Sequence, residues 1–331
     1  METLKFCPST LAPGYESYSP VALRKLFDGK AVSHILPYNE FSTDPDEVEA
    51  FVDNHKRMSL SGAQTKYSVL VLDGEFRLTG EGEQGTYILK PKLNDFQNQE
   101  ASPANEHLTM QIAEQVFKIQ TAPNALCFFK DGSPAYVTKR YDVLPDGTKL
   151  QQEDFASLAG VTSDNAGKNF KYDAKSYEDI AILLKQHIPA WRVEIIKFFR
   201  LMLFNFLFAN GDAHLKNFSV LMTPEGDYIL SPAYDLINTQ IHIPGDSIFA
   251  LQRGLFSDAS LKPNAVTGKV FTDFGIRIGI PEKIVKKELD RFCSEYSDID
   301  RLISNSFLPD KLKKIYRIIY RTRLESYLQV R

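Results

Sequence analysis

The sequence predicts an α+β fold in two lobes, a small strand-rich N-lobe and a larger helical C-lobe. Three observations predict it. Residues 67–139 hold short β-branched and aromatic runs separated by Asp-Gly turns. Residues 177–209 and 281–329 place apolar side chains at helical spacing. At 331 residues the chain has room for two domains of about 150 residues each. Strands grouped ahead of helices give the layout of a bilobal α+β protein, with the join near residues 139–142.

Taken in order, residues 1–57 are expected to form a short N-terminal appendage. Asp44 would cap a helix there, with Pro45 in its first turn and Glu47 at its third position, running to about His55. Residues 58–142 make the expected N-lobe. Residues 67–72 and 75–79 flank Asp73-Gly74 as a hairpin. Residues 86–89 form a third strand ending at Lys90 and Pro91. Ser102 and Pro103 open a helix to about Phe117, with Leu108, Ile112 and Val116 on one face. Residues 127–129 and 135–139 form a second hairpin around Asp131-Gly132.

Residues 143–331 make the helical C-lobe. Helices are expected at 177–187 and 189–209, the second so apolar that it should be buried. It runs straight into Asn210, Gly211 and Asp212. Residues 218–222 and 228–230 make a short hairpin, and helices at 281–296 and 310–329 follow. Six basic residues, Lys311, Lys313, Lys314, Arg317, Arg321 and Arg323, stand without an acid between them. They read as the solvated face of a terminal helix striped by Leu312, Ile315, Tyr316, Ile319 and Tyr320, or as a phosphate-binding or partner surface.

Composition narrows the function classes. Hydrophobic residues at 43% and charged residues at 24% mark a globular chain, and 12% aromatics argue against disorder. The most apolar stretch, 195–209, is short for a membrane span and holds Lys197, Arg200 and Asn205. No basic end followed by an apolar run marks a secretory leader. Cys7, Cys127 and Cys293 lie too far apart for zinc spacing or a disulfide framework, which suggests a reducing, cytoplasmic setting. A net charge of −3 argues against general attraction to nucleic acid.

The chemistry concentrates at 210–217. Asp212 and Asn217 stand five apart after an apolar helix and before a hairpin, and Asp235 follows that hairpin. Protein kinases need these parts in this order. One Asp accepts the proton of the acceptor hydroxyl, while the Asn and a later Asp hold magnesium against the nucleotide phosphates. Asp212 is therefore the candidate base, Asn217 and Asp235 the candidate metal ligands, and ATP with Mg2+ the expected cofactors. Upstream, small residues at 59–66 would let backbone N–H groups approach phosphate, although the run matches neither phosphate-loop pattern and also reads as a plain turn. Lys90 at a strand end suits the phosphates, with Glu106 in the next helix to orient it. His214 reads either as a core histidine or as a group that helps neutralise phosphate. Residues 139–142 read either as an adenine-facing hinge or as a plain connection. The other histidines (His34, His55, His107, His187 and His242) show no metal grouping.

Together these residues resemble the HipA-like serine/threonine kinase toxins of bacterial toxin–antitoxin systems. The matching segments are Ser-Leu-Ser-Gly-Ala-Gln-Thr-Lys at 59–66, Ile-Leu-Lys-Pro at 88–91, Asn-Glu-His at 105–107 and Lys-Arg-Tyr-Asp at 139–142. Gln-Glu-Asp at 152–154, Asn-Gly-Asp-Ala-His-Leu-Lys-Asn-Phe at 210–218 and Pro-Ala-Tyr-Asp-Leu-Ile at 232–237 complete them. The resemblance implies a protein-kinase-like fold, Asp212 as base, Asn217 and Asp235 on magnesium, and Lys90 on phosphate. It implies nucleotide contacts from Ser61, Gly62, Ala63, Gln64, Thr65, Lys66, Lys139, Arg140, Tyr141, His214, Tyr234, Leu236 and Ile237. It implies autophosphorylation of the loop at Ser59 or Ser61, with ejection of the modified loop.

Only 58 residues precede Ser59, as in the short HipT-like subfamily, where the missing N-terminal domain is a separate protein. The implied partners are an aminoacyl-tRNA synthetase as phosphorylated target, a DNA-binding HipB-like protein and a small HipS-like protein. No membrane is implied, and nucleic acid would be met only through the antitoxin complex. Two other classes stay open: a small-molecule or lipid kinase with a related loop, and a nucleotide-binding pseudokinase. The presence of Lys90, Asp212, Asn217 and Asp235 together argues against the second.

Overall fold

The computed structural model describes residues 3–40, 65–258, 265–294 and 296–328. The chain divides into two compact units. One takes residues 1–112, 122–147 and 298–313, the other 113–121, 148–297 and 314–331.

The first unit is built on a five-stranded antiparallel sheet. Its strands are β1 (Tyr67–Leu72), β2 (Glu75–Leu78), β3 (Tyr87–Lys90), β4 (Asn124–Phe128) and β5 (Pro134–Lys139), in the order β2-β1-β3-β5-β4. The β1–β2 hairpin closes over Asp73 and Gly74, at φ 51° and 80°. Both central residues of this two-residue turn sit in the left-handed region, which Asp-Gly tolerates and which matches strand twist. In β1, Tyr67 and Val69 are buried while Ser68 and Leu70 are partly exposed.

Residues 3–40 are part of this unit's core. The expected appendage instead supplies Cys7, Tyr18, Ala22, Leu26, Phe27 and Leu36 to the buried cluster that contains Val69, Phe76, Tyr87 and Val137. Helix α1 (Pro20–Phe27) starts with Pro20 in its first turn and with Ser19 Oγ accepting from Ala22 N. It places Phe27 with ring centroids 5.8 Å from both Phe76 and Tyr87. The physical reason is that a sheet with one apolar face must be covered, and a two-turn amphipathic helix covers it. The helix expected to begin at Asp44 lies outside the described residues. Residues 298–313 also join this unit: Phe307 packs on Phe128 at 5.6 Å, and Asn305 Nδ2 donates to Leu11 O at 3.0 Å. Helix α2 (Ser102–Gln115) follows β3, with Asn105, Glu106, His107 and Leu108 all buried.

The second unit is mainly helical. It carries a three-stranded sheet ordered β6 (Gln152–Asp154), β7 (Ser219–Met222), β8 (Tyr228–Leu230). Short helices α3 (Phe155–Leu158), α4 (Ser163–Ala166) and α5 (Phe170–Asp173) precede α6 (Tyr177–His187) and α7 (Trp191–Leu207). A reciprocal cap starts α6: Ser176 Oγ accepts from Asp179 N, and Asp179 Oδ2 accepts from Ser176 N. In α7, Phe198, Phe199, Leu203 and Phe204 are fully buried. Buried Glu194 ties α7 to β8 by accepting from Leu230 N at 3.0 Å. Helices α8 (Gly268–Arg277), α9 (Glu282–Cys293), α10 (Ser297–Asn305) and α11 (Asp310–Arg323) complete the described helices.

The terminal helix keeps Leu312, Tyr316 and Tyr320 inside, and Lys311, Lys314 and Arg321 outside. Arg323 departs from the solvated face expected for that run, being 4% exposed. Its guanidinium donates to Phe206 O at 2.8 Å and to Ile248 O at 3.3 Å. Phe206 sits in the last turn of α7, where its carbonyl also accepts from Ala209 N at 3.2 Å and where a cation is favourable. Burial pulls the Arg323 pKa down to about 10, so the group still carries its charge at neutral pH. Among the described residues no helix is long and apolar enough to cross a membrane.

Candidate active site

The loop after α7 is held by its own backbone and by residues far away in sequence. Ala209 takes a left-handed conformation, φ 55°, which turns the chain out of the helix. Asn210 then works as a junction. Its Oδ1 accepts from Asp212 N at 3.2 Å, and its Nδ2 donates to Asn205 Oδ1 at 3.0 Å and to Asp235 O at 3.3 Å. One amide side chain thus joins the buried helix, the Asp212 loop and the Asp235 segment. Gly211 N donates to Thr239 Oγ1 at 2.9 Å, and the Thr239 hydroxyl bonds Asp246 Oδ2. A Cβ on Gly211 would run into the Asp246 carboxylate, so glycine is required here for close approach.

Asp212 itself is half exposed, at 51% of its side chain. Tyr172 of α5 donates its hydroxyl to Asp212 Oδ1 at 2.5 Å. His214, two residues on, is 9% exposed at its side chain, and its Nε2 stands 3.9 Å from Asp212 Oδ1, beyond hydrogen-bond range. Burial lowers the His214 pKa to about 4, against the opposing pull of the Asp212 charge. Its ring is therefore neutral at pH 7, and it packs edge-to-face with Tyr172, the ring centroids 5.0 Å apart. Tyr177 at the start of α6 donates to Ala213 O at 3.1 Å. Lys216 pairs with Asp154 at 2.7 Å, and Asp154 also caps α3 by accepting from Ser157 N.

Asn217 is buried, and its Oδ1 has no hydrogen-bond partner among the described residues. A buried amide oxygen without a donor is costly unless something else fills it, and a hard cation is such a filler. Asp235 is half buried and sits at φ 55°, a backbone conformation that Asp adopts more readily than most residues. The donor set is all oxygen, which suits magnesium, a cation that takes one or two carboxylates beside phosphate and water. Among the described residues no three His, Cys, Asp or Glu side chains converge. Tyr234 donates to Lys216 O at 2.9 Å and meets Ser219 Oγ at 2.5 Å. Leu236 is 2% exposed and Ile237 half buried.

In the first unit, Lys90 Nζ lies 2.6 Å from Glu106 Oε1, with each side chain 4% exposed. The ammonium also lies 5.3 Å from the Tyr136 ring centroid. Lys139 pairs with Asp28 at 2.8 Å, and Arg140 grips Asp142 through Nε at 2.9 Å and a terminal nitrogen at 2.6 Å. Arg140 N donates to Thr86 O. Thr65, Lys66 and Tyr141 are half buried. Ser59, Ser61, Gly62, Ala63 and Gln64 lie outside the described residues.

Sequence reasoning missed Tyr172, Thr239 and Asp246. Tyr172 is 40 residues from Asp212 and Thr239 is 28 from Gly211. No local spacing links them to the loop.

With this geometry in hand, comparison with known proteins decides the family. The model of the HipA-like C-terminal domain matches residues 58–298. The chain belongs to the HipA-like C-terminal domain family. A Haemophilus influenzae protein named "Putative kinase" is 27% identical over 344 residues, covering 95% of this chain and 96% of that protein. "Putative kinase Y4dM" of Sinorhizobium fredii is 33% identical over 223 residues, covering 62% of this chain and 52% of that protein. The serine/threonine-protein kinase toxin HipA of Shewanella oneidensis is 23% identical over 264 residues, and the match takes in 73% of this chain and 56% of HipA. Among solved structures, a chain of the Shewanella oneidensis HipA, HipB and operator DNA complex superposes with TM-score 0.64. It is 21% identical, with 82% of this chain and 65% of that one covered. The Helicobacter pylori proinflammatory kinase CtkA superposes with TM-score 0.50 at 15% identity, with 82% and 93% covered. The fold of this family member is kinase-like, with an antiparallel sheet in one unit and mostly helices in the other.

Proposed function

We propose that this chain is a magnesium-dependent serine/threonine protein kinase. The observation that carries the reading is the pairing of a half-exposed Asp212 with Asn217, whose buried amide oxygen has no partner, on one anchored loop. Asp212 would accept the proton of the acceptor hydroxyl as its oxygen attacks the γ-phosphorus of ATP. Asn217 and Asp235 would hold magnesium, which when bound neutralises charge building on the phosphoryl oxygens. Lys90, kept in place by Glu106, would meet the phosphates as a point charge. Neutral His214 adds no charge to the loop and packs against Tyr172.

The family and the HipA relative support a toxin role in a toxin–antitoxin system. In that reading the kinase acts in the cytoplasm on a translation component, with an aminoacyl-tRNA synthetase as target. HipB-like and HipS-like antitoxins would restrain it, and phosphorylation of Ser59 or Ser61 would tune it. Labelled ATP, magnesium and a cell lysate test the reading. A labelled band with the parent, absent with Asp212→Asn or Asn217→Ala proteins that remain folded, is the expected result. Equal labelling by the parent and a folded Asp212→Asn protein would refute it.

A further inference from the structure

Of the two carboxylate oxygens on Asp212, the surroundings treat each differently. Oδ1 accepts the Tyr172 hydroxyl at 2.5 Å. Oδ2 receives no hydrogen bond from any described residue, and His214 Nε2 faces Oδ1 rather than Oδ2. The carboxylate is thus pinned by one oxygen and open at the other.

The tyrosine doing the pinning is itself fixed. Tyr172 N donates to Asn169 O at 2.8 Å, and Gln252 N donates to Tyr172 O at 3.0 Å. Arg253 Nε reaches Asp173 O at 3.3 Å. Lys171 Nζ lies 4.9 Å from the centre of the Tyr172 ring, which also meets the His214 ring at a centroid distance of 5.0 Å and a steep angle of 72°. Five residues on, Tyr177 holds the backbone of the same loop through Ala213 O. Two tyrosines from one stretch therefore grip the loop, Tyr172 by the side chain of the base and Tyr177 by the main chain. Burial and the nearby Asp212 charge keep the Tyr172 phenol protonated, so it acts as a donor only.

We propose that Tyr172 is the positioning residue of the catalytic base, holding Oδ1 of Asp212 so that Oδ2 receives the acceptor's proton. The proposal rests on the phosphoryl-transfer reading above and deepens it. In the step, the acceptor hydroxyl oxygen bonds to the γ-phosphorus. The bond from that phosphorus to the β,γ-bridging oxygen breaks, ADP leaves with the electron pair, and the hydroxyl proton goes to Asp212 Oδ2. Tyr172 loses no proton. Without its hydroxyl the carboxylate is free to turn about its last torsion, and the fraction of complexes with an oxygen aligned on the acceptor falls.

The test measures ADP release by the full chain with ATP, magnesium and dephosphorylated casein, which counts transfer to protein and to water alike. Tyr172→Phe removes one oxygen and keeps the ring. The expected result is a fall in kcat of about tenfold, within the range that a well-placed general base contributes. The KM for ATP should stay within about twofold, because Tyr172 acts on the base rather than on the nucleotide. A merely structural role would instead move kcat and ATP KM together, or lower the unfolding midpoint by many degrees, and either result overturns the proposal. A parent-like kcat in Tyr172→Phe overturns it while leaving the kinase reading intact. ADP release by the parent no faster than by Asp212→Asn overturns both.

Discussion

Gly211→Ala puts one methyl group where the structure has no room. The added Cβ would collide with Asp246 Oδ2, with Asp246 Cγ at 2.7 Å and Thr239 Oγ1 at 3.0 Å. The Asp246 carboxylate sits on a short side chain, so relief means rotating it away. That gives up its bond from the Thr239 hydroxyl and its bond from Ser247 N. Thr239 Oγ1, the acceptor for Gly211 N, lies 3.0 Å from the added Cβ, so the loop's distant anchor is crowded as well. Two hydrogen bonds at about 1 kcal/mol net each are worth about 2 kcal/mol together. Overpacking by one methyl in tight surroundings costs a similar amount, about 1–3 kcal/mol. The expected loss is therefore about 2 kcal/mol of unfolding free energy, read from urea titration by circular dichroism. Phosphoryl transfer should fall further than stability, by about 10- to 100-fold in kcat, since a displaced loop carries Asp212 out of line. The double variant Gly211→Ala/Asp246→Ala makes space for the methyl and should be more stable than the sum of the two single losses. A Gly211→Ala protein within about 0.5 kcal/mol of the parent, or strictly additive double-variant losses, would refute the steric argument.

Two further outcomes follow from buried charge. Glu106→Ala takes away the carboxylate that meets Lys90 at 4% exposure, and should cost about 3–5 kcal/mol in urea unfolding, whereas Lys90→Met/Glu106→Leu regains most of it; a Glu106→Ala loss below about 1 kcal/mol contradicts the pair's role. His107 is fully buried, burial lowers its pKa to about 4, and it bonds Ser9 O through Nε2 at 2.8 Å. The unfolded chain then binds a proton that the folded one refuses between pH 6.5 and 4. Stability from this group is present above pH 6.5 and is lost as pH falls, by about 3 kcal/mol at pH 4. Urea unfolding at pH 6.5 and 4 should show a shallower drop for His107→Gln than for the parent, and equal drops would contradict the assignment.

The signals legible in the residues alone are local. The Asp73-Gly74 turn between alternating runs specified the β1–β2 hairpin, because turn chemistry and pleat both act within a few residues. Apolar density over 189–209 marked a buried helix, found at Trp191–Leu207, and the order of Asp212, Asn217 and Asp235 after it gave the catalytic-loop reading on which the proposed function rests. Tertiary structure decided everything that depends on which distant segments meet. Periodicity says which face of α1 is apolar, but not that Phe27 lies against Phe76 and Tyr87, and so residues 1–57 read as an appendage. Arg323 looked like one more solvated cation until the end of α7 offered it carbonyls. The grip of Tyr172 on Asp212, and of Thr239 and Asp246 on Gly211, was equally invisible. Local propensity reports the conformation of a segment, whereas a contact across tens of residues exists only once the core has brought two segments together.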